Sequence, residues 1–490
     1  MHLRGRFMRV LLLTGRLAEH DVRSAADSAR VPADVLVLDL DIAAFITPEH
    51  VRRAAPSGYD LIMIPGLITS DFSDVERELG TKIRLGPKNA ADITYVLDHL
   101  EEIELSSRTP ACVLIAERLA RNEEEILRRV EQSARPPIVL RGVGVGGGSR
   151  MKVLAEIVDA TRLDDGSLED RIRYYGSQGA DMIDLGLPLD ATPDDVRRVV
   201  RIARGVSEMP VSIDTLRPDL ILAGVDAGAD LVLSIDGRNM HAVADALLDG
   251  DVPAVVIPGP ETTLERNISD ALELGLSVIA DPVLSPPLGG LADSIAKYID
   301  FRRTHPDIPL FLGVGNVTEL IDADSHGVNA ILAAIGEEIG ASILFTPEYS
   351  RKALGSVREL RRAAEMMALA RERRSPPKDL GRDLLILKEK RPRPGVVPPA
   401  HLEVRQAEQS RGFVADPAGS FRIGLCGDEI AAVHDRMVIK GRTAREILDT
   451  AIDLNLVSRL DHAAYLGREL EKAEIALRLG KSYTQDEELF

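Results

Sequence analysis

The chain has 490 residues, too many for one hydrophobic core of ordinary size, so we expect two to four domains. A net charge of -18 and the absence of tryptophan argue against a nucleic-acid partner. No run of about 18 apolar residues predicts a membrane span. The two cysteines lie far apart and lack metal-ligand spacing, which favours a reducing, cytoplasmic location.

The N-terminal part predicts a small parallel sheet. Three apolar runs at 8–13, 34–38 and 60–64 alternate with helical segments, as in α/β domains. We therefore predict a flavodoxin-like α/β domain over residues 1–135. It lacks a GxGxxG motif, and the small residues of PGLITSD after the third run are typical of turns, so we expect no catalysis there.

A glycine-rich stretch, PPIVLRGVGVGGGSR, follows at 136–150. No Lys-Ser or Lys-Thr pair comes after it, so it does not fit a phosphate-binding P-loop. Its alternating valines and glycines predict either a short hairpin that closes the bottom of a barrel or a hinge between domains.

From Val153 onward, eight apolar runs alternate with eight amphipathic segments. This is the count and approximate length of a (β/α)8 TIM barrel, which we place at residues 136–374. The predicted strands lie at 153–158, 181–185, 210–214, 230–234, 253–257, 276–280, 308–312 and 342–345.

The C-terminal part begins with a proline-rich, basic linker at 375–400, in which LLIL is a possible added strand. Residues 401–490 predict a small α+β domain with a strand pair within 419–435 and helices at 443–455 and 458–479. Its polar residues Arg459, Asp461, His462 and His434 suggest structural rather than catalytic roles.

Polar side chains end most of the barrel strands. In parallel barrels the carboxyl ends of the strands form the mouth where chemistry takes place. A ring of hydrogen-bond acceptors there suits a flat, donor-rich heterocycle, because carboxylates pair with guanidine-like edges in a bidentate way. Some of these residues could instead cap helices, above all Asp164 and Asp236. The strand-end residues are Asp159, Asp184, Asp214, Ser234, Asp236, Asp281, Asn316 and Thr346 or Glu348.

The segments GADMIDLG and PVSIDTLRPDLILAGVDAGADLVLSIDG, with ADP at 280–282, resemble the pterin-binding barrels. These comprise the dihydropteroate synthases and the methyltetrahydrofolate methyltransferases, and the similarity covers about 151–373. The whole chain resembles the long archaeal-type dihydropteroate synthase-like proteins, which are associated with methanogens and with methylotrophs that use tetrahydromethanopterin.

The resemblance implies roles for particular residues. Asp214 and Asp281 match aspartates of the synthases that contact the pterin. Asn316 in GVGN matches an asparagine of the methyltransferases that lies near pterin N5. Ser234 is similar to a methyltransferase position, and Asp184 is expected to support the site. Two residues of EIVDAT match the first strand of these families and are expected to orient the pterin or move a proton: Glu156 and Asp159.

The chain also departs from the synthases. GLPLDATP stands in place of the STRPG loop, no SRK motif follows strand 7, and Leu233 occupies the position of a synthase asparagine. Ordinary dihydropteroate synthesis is therefore not expected. Arg351 and Lys352 could bind a leaving phosphate at the position common in barrels, or they could be solvated charges at a helix start.

We expect a cytoplasmic transferase that acts on a reduced pterin by condensation or methyl transfer, with Asp159, Glu156 and Asn316 as catalytic residues. Tetrahydromethanopterin-type cofactor biosynthesis or one-carbon metabolism is the implied context. The alternative is a non-catalytic pterin carrier. We expect no metal and no tightly bound cofactor, a homodimer, and a corrinoid protein as partner if the reaction is methyl transfer.

Overall fold

The computed structural model describes residues 8–378, 380–388, 403–408, 412 and 414–490, without the side chains of 116–120. The chain divides into two compact units, Met1–Glu389 and Lys390–Phe490, and each is described by itself. In the described part of the chain, no helix is long and apolar enough to cross a membrane. The domain limits at 135, 374 and 400 stay predictions, and residues 389–400 of the expected linker lie outside the described residues.

The first unit begins with a four-stranded parallel sheet of order β2-β1-β3-β4. Separate apolar clusters pack on its two faces. The strand β4 was missing from the prediction, because only Ile83 and Leu85 of its four residues are buried and the other two are charged. The strands are β1 (Val10–Thr14), β2 (Ala33–Val37), β3 (Leu61–Ile64) and β4 (Lys82–Leu85). The helices are α1 (Glu19–Asp27), α2 (Pro48–Ala54), α3 (Ser73–Leu79), α4 (Ile93–Asp98), α5 (Ala111–Leu114) and α6 (Ala116–Ser133).

The glycine-rich stretch forms an antiparallel hairpin of β5 (Ile138–Leu140) and β6 (Val143–Val145). Ile138, Leu140 and Val145 are buried in one cluster with inward-facing residues of all eight barrel strands except β9. These partners lie in the N-terminal or middle parts of most strands, so the hairpin closes the bottom of the barrel. Of the two predictions for this stretch, the hairpin is correct.

The barrel is closed and all of its strands are parallel, which confirms the (β/α)8 fold. Its strands are β7 (Lys152–Ile157), β8 (Met182–Gly186), β9 (Val211–Asp214), β10 (Leu231–Ile235), β11 (Ala254–Val256), β12 (Val278–Ala280), β13 (Leu310–Gly313) and β14 (Ala341–Pro347). Its helices are α7 (Asp165–Gln178), α8 (Pro193–Val206), α9 (Pro218–Asp226), α10 (Met240–Asp249), α11 (Leu264–Glu273), α12 (Leu291–Thr304), the short α13 (Gly315–Thr318), α14 (Ser325–Ile339) and α15 (Ser356–Arg373).

The second unit is an antiparallel sheet with two helices around its own apolar core. It has one more strand than the predicted pair. Residues 384–387, the LLIL run at the end of the first unit, do not form a strand. The elements are β15 (Phe421–Cys426), β16 (Glu429–His434), β17 (Met437–Gly441), α16 (Ala444–Asp453) and α17 (Leu460–Leu479).

Candidate functional site

An acidic arc lies at the carboxyl ends of four barrel strands, formed by Glu156, Asp184, Asp214 and Asp281. Side chains two residues apart on a strand share a face. Leu154, Met182 and Ile279 belong to the buried inner layer of the barrel, and an acidic residue of the arc follows each of them two positions later. The arc therefore lies directly above the apolar layer, at the mouth.

Three members of the arc are in mutual contact range. Glu156 is opposite Asp184 in the register of β7 and β8, and Gly186 is opposite Asp214 in that of β8 and β9. Carboxylate oxygens of Glu156, Asp184 and Asp214 lie within 4.8 Å of one another, close enough to hold a metal ion. A Cβ atom at Gly186 would lie 2.7 Å from Glu156 Oε1, so the glycine makes room for that carboxylate.

Asp184 is fully buried. Its Oδ1 accepts a hydrogen bond of 2.5 Å from the Ser212 hydroxyl, whereas its Oδ2 is buried without a hydrogen-bond partner among the described residues. Burial raises the pKa of Asp184 well above its ordinary value, Asp214 and Glu156 raise it further, and the Ser212 hydrogen bond partly offsets this. This carboxylate therefore needs either a proton or a hydrogen-bond donor from a ligand.

The surroundings of Glu156 and Asp214 raise the pKa of both carboxyl groups. Burial, followed by the charges of Asp214, Asp159 and Glu319, raises the pKa of Glu156 to about 7. Burial and the charge of Asp281 raise the pKa of Asp214 to about 6. The charged neighbours that shift these two groups are all acidic, so the arc favours a ligand that brings hydrogen-bond donors or positive charge.

Asp281 is held by two donors. The hydroxyl of Tyr298 on α12 donates to Asp281 Oδ1 at 2.6 Å, and the backbone N–H of Val283 donates to the same oxygen at 2.8 Å. Burial raises the pKa of Asp281 to about 6, and these two hydrogen bonds limit the rise. No sequence pattern pointed to Tyr298, whereas Ser212 had a detectable signal because it precedes Asp214 by two residues on the same strand face.

Asn316 lies on the short helix α13 and contacts the loop that follows Asp281. Its Nδ2 donates to the backbone oxygen of Leu284 at 2.9 Å, which leaves its Oδ1 as an acceptor. Ser234 lies near the end of β10, where the register with β11 shifts, and its backbone oxygen accepts a hydrogen bond from Asn239 Nδ2 at 3.2 Å.

Other strand-end residues have structural partners. Asp159 lies at positive φ with a side chain 44% exposed, and it pairs with Arg162 at 3.1 Å, although its charge still acts on Glu156. Asp236 is bound by Arg238 and does not cap a helix as predicted, because Asn239 is the N-cap residue of α10. Glu348 accepts from the Val357 N–H at the start of α15. As predicted for a helix cap, Asp164 accepts from the Ser167 N–H.

The two candidate phosphate ligands differ. Lys352 pairs with Asp322 at 2.7 Å, whereas Arg351 is exposed. In the second unit, His462 Nδ1 lies 2.9 Å from Asp416 Oδ2, and His434 Nε2 lies 3.1 Å from the backbone oxygen of Ala418. Both histidines thus contact the segment just before β15.

Sequence comparison matches three parts of the chain to family models. Residues 160–270 match "Pterin binding enzyme", residues 8–88 match "Family of unknown function (DUF6513)", and residues 415–486 match "PterinBD-DUF4346". The fold and the first of these matches define the class: a (β/α)8 barrel with the sequence pattern of pterin-binding enzymes.

The chain belongs to the family of uncharacterized protein MJ0107 of Methanocaldococcus jannaschii. The two are 38% identical over 523 aligned positions, which cover 99% of each chain. A Ycf91-like protein of Nostoc is 48% identical over 52 residues, 10% of this chain and 41% of that protein.

Solved structures similar to this chain include dihydropteroate synthases. That of Yersinia pestis with a pterine-sulfa conjugate is 18% identical, with 48% of this chain and 98% of that chain covered and a TM-score of 0.40. That of Thermus thermophilus with 6HMPPP is 20% identical, with coverage of 46% and 96% and a TM-score of 0.38.

Proposed function

We propose that this protein is a transferase that binds a reduced pterin at the barrel mouth, in tetrahydromethanopterin-type cofactor biosynthesis or one-carbon metabolism. The observation that carries the proposal is the acidic arc, placed within a barrel that matches the pterin-binding-enzyme pattern. The resemblance to archaeal-type proteins and the full-length relative in Methanocaldococcus jannaschii support the tetrahydromethanopterin context.

The arc suits the pyrimidine edge of a pterin. That edge presents neighbouring N–H donors, and a carboxylate accepts such a pair in bidentate geometry. Asp214 and Asp281 supply acceptors on β9 and after β12, and Asn316 Oδ1 supplies a third. N–H donors of the ring would supply the hydrogen bond that Asp184 Oδ2 lacks, and they would stabilise the ionised carboxylates.

The chemistry depends on the second substrate. In a condensation, the arc would contribute by positioning and electrostatics. In a methyl transfer, Asn316 Oδ1 would accept a hydrogen bond from protonated N5, and a corrinoid protein would be the partner. In either reaction, Glu156 is suited to proton transfer because its pKa is raised to about 7, close to a neutral working pH. Asp159 would act on the ring indirectly, through its charge on Glu156.

A second candidate function is that of a non-catalytic carrier of a reduced pterin. The absence of the STRPG and SRK motifs favours it, as does the engagement of Lys352 by Asp322, which reduces its use as a phosphate ligand. Arg351 remains the candidate for that role. The homodimer and the cytoplasmic location stay predictions.

Calorimetric titration with 7,8-dihydro- and tetrahydropterins tests the shared part of both candidates. Asp214→Asn is expected to raise the pterin Kd about 10- to 100-fold, because a charged hydrogen bond contributes about 1.5–3 kcal/mol. Asp322→Asn, which removes an exposed carboxylate paired with Lys352, should leave the Kd unchanged.

Absence of affinity for every reduced pterin would contradict both functions. If pterins bind, mass spectrometry of reactions with a pterin diphosphate and an arylamine, or with a methyl donor, separates them. Any transfer product supports the transferase, and intact pterin in every reaction supports the carrier.

A further inference from the structure

The loop after β12, residues 281–285, is anchored to helix α12 at both ends. Tyr298 on α12 is fully buried, and its hydroxyl donates to Asp281 Oδ1 at 2.6 Å. Ser294, one turn earlier on the same helix and also buried, accepts at its Oγ a hydrogen bond of 3.1 Å from the Ser285 N–H. Since the two anchors lie four residues apart on one helix, they fix the loop as a unit.

The backbone of this loop is strained in a way that serves Asp281. Val283 has φ of +67°, a conformation that is rare and unfavourable for a β-branched residue. In this conformation its N–H donates to Asp281 Oδ1 at 2.8 Å. Tyr298 and Val283 therefore bind the same carboxylate oxygen, which leaves Oδ2 for a ligand.

The same loop orients Asn316. The Leu284 backbone oxygen accepts a hydrogen bond from Asn316 Nδ2 at 2.9 Å, so the amide turns its donor toward the loop and keeps Oδ1 as an acceptor. Two predicted pterin contacts, Asp281 and Asn316, thus depend on one short segment, and that segment depends on α12.

We propose that Tyr298 is a positioning residue of the pterin site. Through its bond to Asp281 it fixes Asp281 Oδ2, and through loop 281–285 it fixes Asn316 Oδ1, so that both are presented as acceptors. The site then selects a ring with N–H donors at both places. The ligand in this inference rests on the proposed function, whereas the contact between Tyr298 and Asp281 does not.

The matched variants are Tyr298→Phe and Tyr175→Phe. Tyr175 is equally buried in the barrel, but its hydroxyl donates to the backbone oxygen of Glu156 at 3.1 Å rather than to a carboxylate. Each variant loses one hydrogen bond of a tyrosine hydroxyl, and only Tyr298→Phe removes a donor that stabilises an ionised acid.

The first measurement is the titration of Asp281 in full-length protein without pterin, followed by carboxyl-carbon NMR and assigned with Asp281→Asn. Tyr298→Phe is expected to raise the Asp281 midpoint, because a donor to its charged form is lost while the burial that raises its pKa remains. Tyr175→Phe should leave the midpoint unchanged. An unshifted midpoint in Tyr298→Phe, or an equal shift in both variants, would overturn the proposal.

The second measurement is the Kd of a tetrahydropterin between pH 5 and 8. Tyr298→Phe should weaken binding about tenfold at neutral pH and move the acid limb of the Kd profile to higher pH. Ser294→Ala keeps the contact between Tyr298 and Asp281, so it should weaken binding without moving that limb. If Ser294→Ala binds the tetrahydropterin with wild-type affinity, the role of the loop is overturned. If wild-type protein binds no pterin, the proposed function fails, while the titration still decides whether Tyr298 controls Asp281.

Discussion

At the scale of single residues, the four members of the acidic arc differ in what offsets their burial. Asp281 has two hydrogen-bond donors and Asp184 has one, whereas every influence on Glu156 raises its pKa. The ionised form of Glu156 is therefore unfavourable in the folded protein without a ligand. The ionised Glu156 lowers the stability of the unliganded protein, and it can be stabilised by the hydrogen-bond donors of a ligand. Such a loss of stability is common at functional sites.

Glu156 makes the stability of the unliganded barrel depend on pH. Its pKa is raised from 4.5 to about 7 on folding, so its stabilising contribution is complete below about pH 4.5 and is lost as the pH rises through 7. Glu156→Gln stays neutral at every pH. Its free energy of unfolding should therefore be up to about 3 kcal/mol higher than that of wild type at pH 8, and the two proteins should differ little at pH 5.

Urea denaturation of both proteins at pH 5 and pH 8 measures this difference. Glu169→Gln, at a partly exposed position paired with Arg173, serves as the control and should show no such dependence on pH. The same stability gap at both pH values in Glu156→Gln would contradict the raised pKa.

The sequence predicts the arc better than its supports. Asp184, Asp214 and Asp281 each end an apolar run, and the topology of parallel barrels brings such ends together. Tyr298 follows Asp281 by 17 positions on an amphipathic helix, where an aromatic residue predicts only core packing. Contacts of this kind depend on how a helix returns along its strand, and a local pattern does not encode that.

At the scale of elements, the alternation of apolar runs and amphipathic segments predicts the barrel strands closely. The eight strands are found in the predicted order, and their bounds lie within about two residues of the predicted ones. The strands β4 and β17 were missed because each has only one or two buried apolar residues, too few to distinguish a strand from a polar loop.

The hairpin of β5 and β6 offers a test of its role in closing the barrel. Val145→Ala should cost about 2 kcal/mol of stability, because Val145 is fully buried against the inner layer of the barrel. Val139→Ala makes the same chemical change on the outer face of the hairpin, where the side chain is 59% exposed, and should cost little. Equal losses in urea denaturation would show that the hairpin does not fill the barrel.

At the scale of the whole molecule, three family models match three separate parts of the chain, and one relative matches nearly all of it. Within the first unit, a buried ion cluster joins the N-terminal part to the barrel. Arg373 at the end of α15 lies 3.4 Å from Asp92 Oδ1 and 3.1 Å from Glu123 Oε1, and all three side chains are almost fully buried. The Glu123 oxygen also accepts from the Gly381 N–H, so the segment after α15 takes part in the same junction.

Removal of Arg373 should loosen this junction without disturbing the barrel mouth. Arg373→Leu leaves two buried carboxylates without their guanidinium partner, a change that costs about 3–5 kcal/mol in buried ion pairs. Amides of α4 and α6 should then exchange hydrogen faster, while the pterin Kd stays at its wild-type value, since α15 ends at the opposite side of the barrel from the acidic arc.

Arg303→Leu removes an arginine that is 74% exposed and paired with Asp300, and it should change neither quantity. Exchange in Arg373→Leu that matches this control would show that the cluster does not hold the N-terminal part, and a raised pterin Kd would show that the junction and the mouth are coupled.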